Sequence, residues 1–211
     1  MRRFGALLAA LLLAGTLAAC GGQEAREMQT TQIFAMDTVM ALRAAGGETE
    51  AALQAAEEEI YRLDEELSRT REDSAVSRLN SAPAGTAADV GTELYDLIAR
   101  ALDFSAATDG AFDITLAPVS SAWGFTEDAY RVPAQTELDA LLAHVGAEHV
   151  HLEGEGSVSL DEGTRIDLGA IAKGYASDRM AEIFQSHGVT HGIVDLGGNT
   201  WVCGGNLEGE P

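Results

Sequence analysis

Asp167, Gly169 and Lys173 fall close together in the stretch RIDLGAIAKGYASD, residues 165–178, and their types and spacing suit the capture of an anion. A β-type run ends at Asp167, Gly169 follows, and a helical pattern begins at once. The first turn of a helix offers unpaired N–H groups and roughly half a positive charge. Gly169 leaves the backbone open to a close approach, and Lys173 adds a full charge where a cation is ordinarily disfavoured. Such a turn can seat a phosphate or pyrophosphate, and Asp167 can accept hydrogen bonds from a ring or a ribose. The plainer alternative is a strand-to-helix turn with Lys173 lying on the helix surface. His149 and His151 alternate along a β-type run and could share a metal, although no third ligand stands near them in sequence. Cys203, in TWVCGG, reads as a buried strand residue.

The elements that must position these residues follow from periodicity. QIFAMDTVMALRAA predicts a strand or hairpin with Met36, Asp37 and Thr38 near its middle. A helix is expected from Glu50 to about Ser68, capped by Thr49. Its apolar residues Leu53, Ala56, Ile60, Leu63 and Leu67 make one continuous stripe. Glu57, Glu58, Glu59, Asp64, Glu65 and Glu66 form its wet face. SRTREDSAVSRLNSAPAG predicts a polar loop with one turn of helix. A helix from Gly91 or Thr92 to about Thr108 stops at Asp109-Gly110, and another runs from about Ala134 to Val145. Short strands are expected in EHVHLEGEGSVSLDEGTRIDLG, a helix from Ala170 to about His187, and two last strands around Gly197-Gly198. This order is not a regular βαβ alternation. It predicts an α+β fold with a largely antiparallel or mixed sheet and packed helices.

The chain has 211 residues, enough for one domain of ordinary size. It opens with MRRFGALLAALLLAGTLAAC: two Arg, an uncharged run from Phe4 to Ala19, then Leu17 to Cys20. That pattern is a secretory leader, too short for the roughly 20 residues a bilayer span needs. The LAAC ending resembles a lipobox, which would make Cys20 a lipidation site. Residues 1–19 are thus expected to be a lipoprotein signal peptide, 20–29 a tether and 30–211 the folded domain. The formal net charge is −21; loss of residues 1–19 removes Arg2 and Arg3 and leaves −23. That balance excludes nucleic acid as a partner. Neither G-x-G-x-x-G before a helix nor a Walker P-loop occurs.

FAMDTVM, DSAVSRLN, GAFDITLAPVSSAWGF, DLGAIAKGYASD and GIVDLGGNTWVCG occur in that order, and together they resemble the ApbE family, the FAD:protein FMN transferases. The resemblance runs from about residue 30 to the end and matches the N-terminal part of family members. They continue for more than a hundred further residues, carrying the Asp and Thr that complete a metal site. On this resemblance the chain is incomplete at its C-terminus. It implies FAD as substrate, Mg²⁺ on the pyrophosphate, and attack by a Thr hydroxyl of a target flavoprotein on the FMN-side phosphorus, with AMP leaving. The target would be a subunit of an exported or membrane redox complex, and the enzyme a lipid-anchored protein on the extracytoplasmic side of a bacterial cell membrane. Residue by residue, it implies that Met36 packs on the flavin, Ala111, Phe112 and Asp113 line the FAD site, Asp167 holds the cofactor, Lys173 meets the phosphates and Ala170 offers its carbonyl to the metal. Thr70 stands where many members have a Tyr, so a stacking contact would be lost there. An FAD pyrophosphatase using water, or a non-enzymatic flavin-binding lipoprotein, are the alternatives.

Overall fold

The structure, a computed structural model, describes residues 27–125 and 129–205. The leader and Cys20 lie outside the described residues.

Strands β1 (Gln29–Ala35) and β2 (Thr38–Ala45) form an antiparallel hairpin in which Ala35 pairs with Thr38. Only Met36 and Asp37 are left to turn the chain, and both take positive φ, 47° and 58°. A two-residue hairpin turn matched to the right-handed strand twist demands this backbone, but a side chain such as Met adopts it only under strain. Helix α1 (Thr49–Leu67) buries the expected stripe with Ala52 added. Thr49 does not cap it. It is the first helical residue, and its hydroxyl donates to the Gly46 carbonyl at 2.8 Å. Helix α2 (Ala75–Ser81) is longer than the single turn expected, because Ser74 caps it by accepting from the Ser77 N–H and Ala75, Val76 and Leu79 are buried.

Strand β3 (Ala88–Asp89) leads into α3 (Gly91–Ala107), which ends where Asp109 and Gly110 turn left-handed and Gly110 N–H bonds the Ser105 carbonyl. Two short helices follow, α4 (Ala117–Ala122) and α5 (Gln135–Leu142). The second stops before the expected Val145, since His144 and Val145 bond three residues back and tighten the chain. A 3₁₀ turn (Ala147–His149) precedes β4 (Val150–Gly154) and β5 (Ser157–Leu160). His149 thus sits in the turn and not in a strand. Helix α6 (Gly169–Ser186) and the hairpin β6 (His191–Asp195) and β7 (Thr200–Cys203) close the described chain.

The strands form a four-stranded sheet in the order β1-β2-β6-β7 and a three-stranded sheet in the order β3-β5-β4, with every pairing antiparallel. The α+β expectation holds. Helices α1 and α6 pack together across one face of the larger sheet. There Met40, Leu42, Ile60, Leu63, Met180, Phe184 and Val194 are wholly buried. The alternate residues Phe34, Val39 and Val202 look outward from the same sheet and are exposed. This arrangement sets the end of α1 and the hairpin turn beside the start of α6.

Candidate functional site

The approach to α6 is pinned before the helix begins. Asn80, at the end of α2, donates from Nδ2 to the Ile166 carbonyl (2.9 Å) and accepts at Oδ1 from the Ile166 N–H (2.7 Å). Its amide thus serves Ile166 as a strand partner would. The Asp167 N–H bonds the Ile114 carbonyl at 2.7 Å. Asp167 then uses its side chain on the turn itself. Oδ1 accepts from the Gly169 N–H at 2.8 Å, and Oδ2 pairs with Arg69 Nε at 2.7 Å. A Cβ at residue 169 would lie 3.1 Å from Oδ1, so glycine fits this turn where a side chain would crowd it. Arg69, 18% exposed at its side chain, also donates from Nη1 to Ser121 Oγ at 3.0 Å.

These contacts border a cleft of about 380 Å³ lined by Met36, Asp64, Arg69, Thr70, Phe125, Asp167, Gly169 and Lys173, among others. Met36 is held there by its N–H, which donates to Asp64 Oδ1 at 2.9 Å. Lys173 is half-buried and has no ion-pair partner among the described residues, so its charge is free to meet an anion. Arg69 and Thr70 also line a neighbouring cleft of about 470 Å³ with Asn80, Ser121 and Arg165. Loop 68–70 therefore divides two spaces that each fall in the range of small-molecule sites.

Of the residues singled out in the sequence, Met36, Thr70, Asp167 and Lys173 meet around one cleft. Ala170 is exposed in the same first turn of α6. Ala111, Phe112 and Asp113 are not among the residues lining it. Ala111 is exposed, Phe112 packs edge-on against Phe104, and Asp113 Oδ1 accepts from the Thr115 N–H at 2.7 Å. The link from this segment to the cleft is the Ile114–Asp167 backbone bond. Arg69, Asn80 and Phe125 have no role assigned from sequence, and Asp64, expected only on the wet face of α1, instead lines the cleft and holds Met36. An Asn closing an amphipathic turn signals nothing by itself; its bonds to Ile166, 86 residues away, exist only once the chain is folded.

A larger cleft, about 670 Å³, lies between α1, α3 and α6. Its groups satisfy one another. Arg62 binds Glu59 and grips both oxygens of Glu93 at 2.8 Å, Tyr175 donates to Glu93 at 2.6 Å, and Arg179 reaches Glu59 at 3.1 Å. The hydrogen bonds from Arg62 hold the carboxyls of Glu59 and Glu93 below the usual range. Burial, reinforced by Glu93, pushes the Tyr175 phenol up. This network ties three helices together and leaves little for a ligand to take. His149 and His151 share one acid, with Nδ1 and Nε2 at 3.0 and 2.8 Å from Asp161, whose pKa they lower. Among the described residues no group of three or more His, Cys, Asp or Glu could hold a metal. Ala170 brings one carbonyl, far short of an oxygen cage for a hard cation. Cys203 is half-buried, not fully buried as expected, and burial raises its thiol pKa.

The ApbE family model matches residues 36–211, and the chain belongs to that family. The FAD:protein FMN transferase of Treponema pallidum (strain Nichols) is 31% identical over 214 residues, covering 96% of this chain and 58% of that protein. The FAD:protein FMN transferase of Vibrio cholerae is 33% identical over 155 residues, 72% of this chain and 46% of that one. The ApbE protein of Thermotoga maritima superposes with a TM-score of 0.82 at 32% identity, covering 86% of this chain and 60% of its own. The apo flavinyl transferase ApbE of Pseudomonas stutzeri gives 0.81 at 28%, covering 88% and 62%. The chain spans about half the length of the curated relatives it matches.

Proposed function

We propose that the cleft binds FAD and that the protein transfers its FMN moiety to a Thr hydroxyl of a target flavoprotein. The carrying observation is Lys173, the fifth residue of α6, which has no ion-pair partner among the described residues and lines the same cleft as Asp167, Gly169 and Met36. The family, whose relatives bear the name FAD:protein FMN transferase, supports the same reading. In the reaction the Thr oxygen bonds the FMN-side phosphorus, the phosphoanhydride bond to AMP breaks, and the hydroxyl proton is lost. Lys173 and the positive end of α6 offset the charge of the pyrophosphate; positioned charge of this kind is the main demand of phosphoryl-type transfer. Asp167, held by Gly169 and Arg69, fixes the shape of the turn. Mg²⁺, if bound, would help neutralise the pyrophosphate, and the Ala170 carbonyl is what the described chain would offer it. The target is a flavoprotein subunit of an exported or membrane redox complex, and Cys20 carries a lipid that holds the enzyme on the outer side of the cytoplasmic membrane.

The test is to incubate the purified chain with FAD, Mg²⁺ and an exported flavoprotein subunit. Transfer adds the mass of FMN to one Thr of the target and releases AMP. FMN and AMP released without a target would make it a pyrophosphatase, and FAD binding with neither product a binding protein. Failure to bind FAD at all would overturn the reading of the cleft.

A further inference from the structure

We propose that Phe125 is the ring-stacking residue of this cleft and lies against the isoalloxazine of the bound flavin, an inference that rests on the flavin reading above. Phe125 is the only aromatic residue among the described residues lining the cleft. It is 60% exposed. An exposed Phe alone means little, but this one is built into place. Its ring lies parallel to that of Trp123, with an interplanar angle of 2° and centroids 6.2 Å apart, and Tyr130 leans on it at 6.0 Å and 57°. The bracket is anchored from below. Gly124 takes φ 74° and its N–H bonds the Ser121 carbonyl, its carbonyl accepts from the Ala129 N–H at 3.0 Å, and the Trp123 carbonyl accepts from Arg131 N–H at 3.2 Å. A Cβ at residue 124 would lie 2.1 Å from the Ala129 carbonyl oxygen, so only glycine lets the chain close here.

The result is an aromatic cluster in which Phe125 lies parallel to Trp123, is braced by Tyr130 and itself lines the cleft. Flat aromatic ligands bind such platforms because face-to-face offset stacking adds to apolar burial. Met36 lines the same cleft with a polarizable thioether, which also favours contact with aromatic rings. Thr70, the residue of loop 68–70 that also lines it, has no ring to offer. Lys173 and the α6 terminus supply the charge, so the cleft joins a surface for a flat ring to a seat for a phosphate. That pairing is the chemistry of a flavin nucleotide.

The experiment is calorimetric titration of riboflavin, FAD and ADP on the wild-type chain and on Phe125→Ala, Phe125→Leu and Phe125→Tyr, with a melting curve for each. Riboflavin and FAD should both bind Phe125→Ala and Phe125→Leu more weakly by roughly 5- to 100-fold, the range of one lost stacking contact. Phe125→Tyr should stay within about threefold of wild type and ADP should not change, because stacking needs a ring face on both partners and ADP has no isoalloxazine. Wild-type affinity in Phe125→Leu would overturn the assignment, since apolar bulk would then suffice. So would a loss for FAD and ADP with riboflavin untouched, which would put the adenine on Phe125. If wild type binds neither riboflavin nor FAD, the flavin reading of the cleft falls, and the assignment of Phe125 with it. Binding by wild type with all three variants unchanged would sink Phe125 alone.

Discussion

At the scale of single residues the site is a division of labour between cations. Arg69 is spent on Asp167 at 2.7 Å, whereas Lys173 has no such partner among the described residues. Lys173 is the fifth residue of α6, so it feels only the fading edge of a helix-start penalty that reaches roughly 0.3 to 1 kcal/mol in the first turn. Lys173→Gln should therefore leave the empty protein equally stable or slightly more so, while FAD binding weakens by about 1.5 to 3 kcal/mol, the range for a hydrogen bond to a charged group. Riboflavin, which lacks phosphate, should bind both forms alike; paired titrations check this, and an equal loss for both ligands would make Lys173 a shaper of the pocket. Asn80 is the opposite kind of residue. Its amide is the partner of both backbone groups of Ile166, itself 0% exposed. Asn80→Ala orphans a donor and an acceptor, each worth about 1 to 3 kcal/mol when buried and unmet. Urea unfolding should show a loss of roughly 2 to 5 kcal/mol; Asn80→Asp, which keeps the acceptor alone, should recover part of it. Lys173 and Asp167 were legible in the sequence because a helix start and a misplaced charge are local facts. Asn80, Arg69 and Phe125 were not, because their partners Ile166, Asp167 and Trp123 become meaningful only when loops meet.

At the scale of elements, stripes read well and turns read poorly. The α1 stripe, the Met36 hairpin and the last two strands follow from apolar spacing and β-branched runs, whereas the pairing of β2 with β6 joins segments about 150 residues apart and has no local signal. Helix α2 is longer than its sequence suggests because its capping Ser74 lies in a polar run, and α4 has no sequence signal, since APVSSA has no periodic face. The interlock of α1, α3 and α6 was invisible too: the acids on α1 read as a wet face, yet Glu59 is 14% exposed at its side chain and bonded to Arg62 and Arg179. Its pH dependence has two sides. Arg62 lowers the pKa of Glu59 and Glu93 below the ordinary 4.5, so their contribution is present above that value and is lost as pH falls through the folded pKa values. Burial raises Tyr175 above its ordinary 10.0, so the native state holds a proton the unfolded chain gives up, and stability declines as pH rises past 10.0. Unfolding midpoints measured from pH 3 to 11 should fall at both ends. Arg62→Met should flatten the acid limb and Tyr175→Phe the alkaline limb; limbs unchanged in these variants would place the titration elsewhere.

At the scale of the whole molecule, charge decides how the protein can be held to a membrane. With residues 1–19 removed the chain carries 34 acidic residues against 11 Lys and Arg, a net charge of −23. An anionic leaflet repels such a surface, whereas polybasic proteins gain about 1 kcal/mol per cation near it. No helix among the described residues is long and apolar enough to cross a bilayer. On the anchoring proposed above, retention would come from Cys20 and the lipid the LAAC ending would attach, since acyl chains contribute about 0.8 kcal/mol per buried CH₂ and two or more together anchor stably. Expressed in a bacterial host fed radiolabelled fatty acid, the wild-type protein should take up label and sediment with membranes, and a wash in 1 M salt should not release it. Salt strips proteins held by charge, because at about 1 M the screening length shrinks to roughly 3 Å; a lipid-held acidic protein should bind as well or slightly better there. Cys20→Ser should lose the label and move to the soluble fraction. Equal labelling of both forms, or release of the wild type by salt, would show that something other than Cys20 holds the protein at the membrane.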